Sequence, residues 1–288
     1  MLSHVTPAWT PAIPCRFPYP PCLELLWRAQ FYGGIPIKSS GYASIKLMPL
    51  DNVIIILAGT KHPGNIGSTA RAMANMGLGR LVLAAPRCEI NEESRRMAKA
   101  GTDVLDAALV YPSLADAITE IHMLVGTTGK IGGYRSDPAP PRLLAPKILN
   151  QAAEQTVGIL FGPEDTGLVD EDLRLCQFLI RIPTSRQAGS INLAQAVMVV
   201  SYELMLGSLA HEPGRALRLA SIEQTEAMYG QLEEALLKIG FLHPQNARHM
   251  MFAIRRLLGR AGLESPDVGV LRGIARQINW FARSQNDK

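Results

Sequence analysis

Ser190–Val197 reads S-I-N-L-A-Q-A-V, and the rest of the chain is arranged to meet it. A strand-like run, Phe178–Ile182, and a polar loop, Pro183–Gly189, lead into it, and a helix dense in small residues leads away. Two earlier stretches have the same Gly/Asn/Ser-rich character: N-I-G-S-T-A-R at Asn65–Arg71 and F-G-P-E-D-T-G-L at Phe161–Leu168.

Each of these stretches follows an apolar run. Val53–Ala58 is continuously apolar and β-branched at four positions, the pattern of a strand buried on both faces. From there strands and helices alternate. Strands are predicted at Leu81–Ala85, Ala107–Tyr111, His122–Gly126, Thr156–Phe161 and Phe178–Ile182. Helices are predicted from Asn65 (as N-cap) to Met76, over Glu92–Ala100, from Ser113 to Glu120, over Leu143–Glu154 and Asp170–Cys176, and from Ile191 to Leu209. Alternation of this kind predicts an α/β unit, a mostly parallel sheet with helices on both faces. After His211–Gly214 the strand signal ends. Helices follow from Ser221 to Ile239, over Asn246–Gly259, and from Ser265 to Phe281, where Pro266 suits a first helical turn.

Three regions result: a Pro-rich extension at 1–48, an α/β domain at 49–210 and a small all-helical domain at 215–288. Six prolines in the first 30 residues exclude a secretory leader with an apolar middle region. Two readings of the extension stay open, an unstructured arm or a stretch upstream of a true start at Met48. The formal net charge is +4, and its distribution says more. Residues 49–210 hold 14 Lys and Arg against 16 Asp and Glu, a net −2, whereas residues 211–288 hold 11 against 8, a net +3. The helical region is therefore the better candidate for meeting phosphates. Of the helical arginines, Arg255, Arg256 and Arg260, with Arg248, Arg272 and Arg276, form the candidate surface.

Four cysteines, Cys15, Cys22, Cys88 and Cys176, show neither metal-ligand spacing nor a disulfide framework, which fits a reducing cytoplasm. No run is long and apolar enough to span a bilayer. The dinucleotide, P-loop and G-x-S-x-G signatures are absent, and the six histidines are scattered. Neither metal nor nucleophilic-triad chemistry has support. What remains are Gly-rich turns at Gly59–Gly67, Gly126–Gly129, Gly162–Glu164 and Ile182–Ser190. All fall at the carboxyl edge of the sheet, where open α/β sheets bind ligands. Arg71, between two alanines, is a candidate fixed cation for a phosphate or a developing oxyanion.

The three motifs together, N-I-G-S-T-A-R-A-M-x-x-M-G, F-G-P-E-D-T-G-L and I-P-T…S-I-N-L-A-Q-A-V, resemble the signature motifs of the SpoU/TrmH-like methyltransferases of the SPOUT superfamily, over about residues 50–207. M-Y-G-Q-L-E-E-A-L-L-K-I-G-F-L at Met228–Leu242, M-M-F-A-I-R-R-L-L-G-R-A at Met250–Ala261 and L-R-G-I at Leu271–Ile274 resemble the C-terminal region of the TrmJ-type tRNA methyltransferases. The resemblance implies a C-terminal trefoil knot in the α/β domain, a homodimer, and methyl transfer from S-adenosylmethionine to the ribose 2′-hydroxyl of cytidine or uridine at nucleotide 32 of tRNA. The same fold acting on ribosomal RNA or another tRNA nucleotide is the alternative, and an inactive RNA-binding dimer is a third reading. The cofactor pocket implied comprises Thr127, Thr128, Gly129, Gly162, Glu164, Ile182, Gly189, Ser190 and Ile191. Arg71, Asn65, Ser190 and Asn192 would carry catalysis, and Arg71, Lys130 and Arg135 would meet RNA with the helical arginines. Pro163 stands where members often carry Arg, and Val169 stands where a Thr usually caps the next helix, leaving that cap to Asp170.

Overall fold

The computed structural model describes residues 50–130, 132, 137–185, 189–210 and 217–286. The Pro-rich stretch at 1–48 and Arg135 lie outside these residues. Six strands form one sheet: β1 Val53–Ala58, β2 Arg80–Ala84, β3 Leu109–Tyr111, β4 Met123–Thr127, β5 Val157–Phe161 and β6 Phe178–Ile180. Their spatial order is β3-β2-β1-β5-β4-β6, and every pairing is parallel.

Between the strands lie α1 Pro63–Asn75, α2 Glu92–Ala98, α3 Thr102–Asp106, α4 Leu114–Ala117, α5 Pro141–Ala152 and α6 Asp170–Leu173; α7 Leu193–Ala210 closes the α/β unit. The side-chain period of two splits β1 between two cores. Val53, Ile55 and Leu57 pack with Ile66 and Met73 of α1, Ile148 of α5 and Val197 of α7. Ile54, Ile56 and Ala58 face Ile118, Leu168 and Leu173 on the other side. A strand buried on both faces has no polar position to offer, hence its unbroken apolar run.

α1 begins earlier than its sequence suggests. Pro63 occupies the first turn and His62 the cap position, so Asn65 sits inside the helix. The fixed φ of Pro63 and its missing N–H suit the first helical position, which frees the Asn65 amide for other partners. At α6, Val169 rather than Asp170 takes the cap position, and Asp172 accepts the Val169 N–H at 3.3 Å. β6 stops at Ile180 instead of Ile182.

The last described region holds α8 Ile222–Lys238, α9 Ala247–Ala261 and α10 Ser265–Asn286. Ser221 and Gln224 form the expected capping box at the start of α8. These helices have their own core, centred on Met228, Tyr229, Leu242, Met251 and Val268. The segment leading into them is strapped to the α/β unit by two glutamines. Gln151 Nε2 donates to Leu217 O at 2.8 Å, and Gln155 both donates to Leu219 O at 2.9 Å and accepts from Leu219 N at 2.8 Å. Ile222 N donates to Ile121 O at 2.8 Å, and the Ile222 side chain joins the second of the two sheet cores.

The backbones of α1 and α2 approach closely at Gly67, where an added Cβ would lie 1.9 Å from Ser94 O. Gly67→Ala therefore forces two helices apart and is expected to cost about 3 kcal/mol. Gly77, at φ +75° with open space around it, loses only its left-handed freedom in Gly77→Ala, about 1 kcal/mol. Equal melting temperatures for the two variants would show that the contact does not constrain the fold.

Candidate functional site

The loops after β4, β5 and β6 surround one cleft of about 230 Å³ at the carboxyl edge of the sheet. All nine residues predicted for the cofactor line it: Thr127, Thr128, Gly129, Gly162, Glu164, Ile182, Gly189, Ser190 and Ile191. Lys130 lines it as well, with Thr184, and Leu168, Ile180 and Leu193 give it apolar walls.

Local geometry explains why these residue types are used. Thr127 Oγ1 donates to Leu160 O at 3.0 Å and Thr128 N to Ile180 O at 2.9 Å, tying the first loop to both neighbouring strands. A Cβ on Gly162 would fall 2.3 Å from Leu168 N, so the loop after β5 folds back only on glycine. A Cβ on Gly189 would meet nothing within 4 Å. No contact within the described residues therefore demands glycine at this position.

The three motifs meet through side chains. Glu164 Oε1 accepts from Asn65 Nδ2 at 2.8 Å, and its Oε2 accepts from Lys61 N at 3.1 Å. Asn65 Oδ1 accepts from Asn192 Nδ2 at 3.0 Å. Asn192 Oδ1 in turn accepts from Ala194 N at 3.0 Å and Gln195 N at 3.4 Å, capping α7. Asn192 thus caps its own helix with one end of its amide and holds the first motif with the other. α7 starts at Leu193 because that cap fixes its first turn.

Partial burial pushes the Glu164 carboxyl up, but the Asn65 amide and the backbone N–H groups of Glu164, Lys61 and His62 outweigh it and hold the group below its ordinary 4.5. The side chain is therefore an anion that organises donors around it. Lys61 Nζ lies 2.5 Å from Asp165, so the cation closest in sequence to Asn65 is already paired. Ser190 is exposed at the mouth of the cleft.

Arg71 is exposed, does not line the cleft of its own chain, and has no hydrogen bond or ion pair among the described residues. The helical arginines divide. Arg255 is only 14% exposed, forms two hydrogen bonds to Glu226 and lies 4.3 Å from the Tyr229 ring centroid. Burial pushes the Tyr229 hydroxyl up to about 12, against the opposing effect of Arg255. Arg260 pairs with Asp137, and Arg248 pairs with Glu171 of α6, so both reach across to the α/β unit. Arg256 is exposed and has no ion pair among the described residues.

One residue that the sequence did not single out stands beside the site. A Cβ built on Gly59 would be 3.1 Å from Pro163 Cγ and 3.9 Å from Arg87 Nε. Arg87 is exposed, and its backbone N–H is fixed to Thr60 O at 2.8 Å. The A-P-R turn after β2 carries no motif of its own, so only the neighbouring loops reveal its position.

Comparison with known proteins gives consistent matches. Residues 52–202 match the SpoU rRNA Methylase family, and residues 223–288 match the tRNA methyltransferase TrmJ C-terminal domain. The chain is 37% identical over 256 residues to the tRNA (cytidine/uridine/adenosine-2′-O-)-methyltransferase TrmJ of Pseudomonas aeruginosa (strain UCBPP-PA14), covering 83% of this chain and 98% of the relative. It is 34% identical over 239 residues to the tRNA (cytidine/uridine-2′-O-)-methyltransferase TrmJ of Photorhabdus laumondii, covering 81% and 99%. Among solved structures, TrmJ from Z. mobilis ZM4 superimposes with a TM-score of 0.68 at 34% identity, covering 78% of this chain and 98% of that one. A putative methylase family protein from Neisseria gonorrhoeae gives 0.59 at 32% identity, covering 63% and 94%.

The depressed Glu164 ionisation has a measurable consequence. A carboxyl whose folded value lies below its unfolded value contributes stability above about pH 4.5, and that contribution is lost as pH falls through the folded value. Glu164→Gln is expected to flatten the acid limb of the stability profile. Superimposable acid limbs for the variant and its parent would remove Glu164 as the organising anion.

Proposed function

Because the chain belongs to the SpoU rRNA methylase family and ends in a TrmJ-type C-terminal domain, we propose that it is an S-adenosylmethionine-dependent tRNA (cytidine/uridine-2′-O-)-methyltransferase. We assign its target to nucleotide 32 of the anticodon loop. The observation that carries the methyltransferase reading is the coincidence of the nine-residue cleft with the hydrogen bonds that run from Glu164 in its wall to Asn65 and on to Asn192, and the choice of nucleotide 32 rests on the resemblance of the C-terminal motifs. The donor set is backbone amides, carbonyls and hydroxyls between aliphatic walls, which fits a nucleoside with an amino-acid tail.

When bound, S-adenosylmethionine supplies a methyl group on a sulfonium, already electrophilic without help from the protein. The chain's own work is positioning. Thr127, Thr128, Gly129, Gly162, Glu164, Ile182, Gly189, Ser190 and Ile191 would together hold the cofactor. Asn65 and Asn192 would keep the loops around the bound cofactor and the ribose in one geometry, through their hydrogen bonds to Glu164 and to the first turn of α7. Neither the Asn65 nor the Asn192 amide can take up the 2′-hydroxyl proton, so its acceptor would be a phosphate of the RNA. A guanidinium stays protonated, so Arg71 acts by stabilising the developing alkoxide or by fixing a phosphate that relays the proton.

A homodimer and a trefoil knot belong to the same proposal. α7 is apolar almost all round, and Val199 and Tyr202 remain exposed after it packs on α1 and α5. That is the surface a second copy would cover. Arg71, exposed and away from its own cleft, is free to serve at such an interface. RNA contacts are assigned to Lys130 at the cleft, to Arg71, to Arg87 near Gly59, and to Arg256 on α9. Arg255 and Arg260, held by Glu226 and Asp137, would act mainly by positioning the helices. Arg135 belongs to this group by sequence. No metal is assigned, and the cytoplasm is assigned as the location to match a tRNA substrate; no helix among the described residues is long and apolar enough to cross a membrane.

The decisive experiment is transfer of labelled methyl from S-adenosylmethionine into bulk tRNA, followed by mapping of the modified nucleotide. Label in ribosomal RNA alone, or at a nucleotide other than 32, would replace the assigned target. Arg71→Ala is expected to lower methyl transfer by at least 100-fold while cofactor binding, read by calorimetry, stays within about twofold of the parent. Substantial turnover by that variant would remove Arg71 from the reaction.

A further inference from the structure

α10 carries a second feature that the methyltransferase site does not use. Arg272, Arg276, Trp280 and Arg283 stand at intervals of four, four and three residues. At about 100° per residue they fall within an arc of about 80°. The helix turns a different side to its neighbours, with Val268 and Ala275 buried at 4% and 0% exposure. Trp280 remains 62% exposed, and the three arginines are exposed with it.

The charge on this stripe is largely uncompensated. From Val268 to Asn286 the helix has no acidic residue. Arg272 Nε donates to the neutral Gln231 Oε1 of α8 at 3.0 Å, and Arg276 and Arg283 have no hydrogen bond or ion pair among the described residues. Glu234 of α8 feels the charge of Arg283, but its own partner is Lys238 at 2.5 Å. The exposed apolar residues Val270, Ile274 and Phe281 lie on another side, some 80° or more around the helix from Trp280. Trp280 therefore stands at the edge of the arginine arc, with Arg276 one turn before it and Arg283 one turn after it, and the apolar ridge begins about 80° further round.

An exposed indole flanked by unpaired arginines has the chemistry of a stacking platform for single-stranded nucleic acid. We propose that this stripe grips unpaired nucleotides of the RNA substrate. The Trp280 ring stacks on one base, while Arg272, Arg276 and Arg283 contact phosphates along about 16 Å of helix. The proposal rests on the RNA-methyltransferase reading and deepens it: substrate would be chosen partly by an unpaired loop, recognised away from the reacting ribose.

The chain itself supplies the probe. It has three tryptophans, Trp9, Trp27 and Trp280, so Trp9→Phe with Trp27→Phe in the full-length protein leaves emission from Trp280 alone. Titration with an unstructured uridine-rich oligoribonucleotide is expected to quench that emission, whereas a fully paired RNA duplex of equal length quenches it little. Trp280→Ala, made in the wild-type background and followed by filter binding, is expected to weaken oligonucleotide binding about tenfold, and Trp280→Phe to restore most of it. Arg276→Gln is expected to reduce the slope of log affinity against log salt by about 0.7. Absence of quenching, or parent-like binding by Trp280→Ala, overturns the proposal. So does emission that follows protein concentration instead of RNA, which would put Trp280 at a contact between copies. Methyl transfer to tRNA by the parent separates the two readings. An active parent without quenching sinks only the stripe, and quenching without methyl transfer sinks the enzymatic reading and leaves the stripe as an RNA contact.

Discussion

The Glu164 carboxylate is the group on which the site's geometry depends. It is partly buried, and burial alone would favour its neutral form. It stays charged because the Asn65 amide and nearby backbone N–H groups point at it. That requirement fixes the orientation of Asn65, whose other end then accepts from Asn192, whose own oxygen caps α7. Three loops distant in sequence are brought to one geometry by one anion and two amides. Each amide uses both its donor and its acceptor, so turning over Asn65 breaks two contacts at once and turning over Asn192 breaks three.

The helical region is attached by a different kind of chemistry. Two glutamines hold the backbone of the connecting segment, Ile222 enters a sheet core, and Arg248 and Arg260 reach acids of the α/β unit. The ion pairs are exposed and contribute little singly. Their larger effect is on charge: several arginines that make the region basic are already matched. Excess positive charge is left on residues such as Arg256, Arg276 and Arg283, and the charge count of the sequence alone does not separate the two groups.

Much of the fold was legible because its cause is local. The unbroken apolar run of β1 announces burial on both faces, and Ser221 with Gln224 announces the start of α8. The cleft was legible for a related reason. Gly129, Gly162 and Gly189 cluster at strand ends, and the strand-to-ligand relation of a parallel sheet puts such turns on one edge. The sequence was hardest to read where one residue had two good uses. Asn65 has the side chain of a helix cap, but Pro63 took the start of α1 and released it. Arg255 has the charge of a phosphate contact, but Tyr229 and Glu226 enclose it.

The sequence by itself determined the parallel α/β order, the helical tail and the three motifs, because strand burial, capping and turn chemistry are written in neighbouring residues. Only the tertiary structure decided that Asn192 joins the first motif while capping α7, that Arg87 and Pro163 both come close to Gly59, and which arginines remain unpaired. Hydrogen bonds and ion pairs between segments a hundred residues apart depend on where the strands of the sheet carry them. No spacing along the chain records that distance.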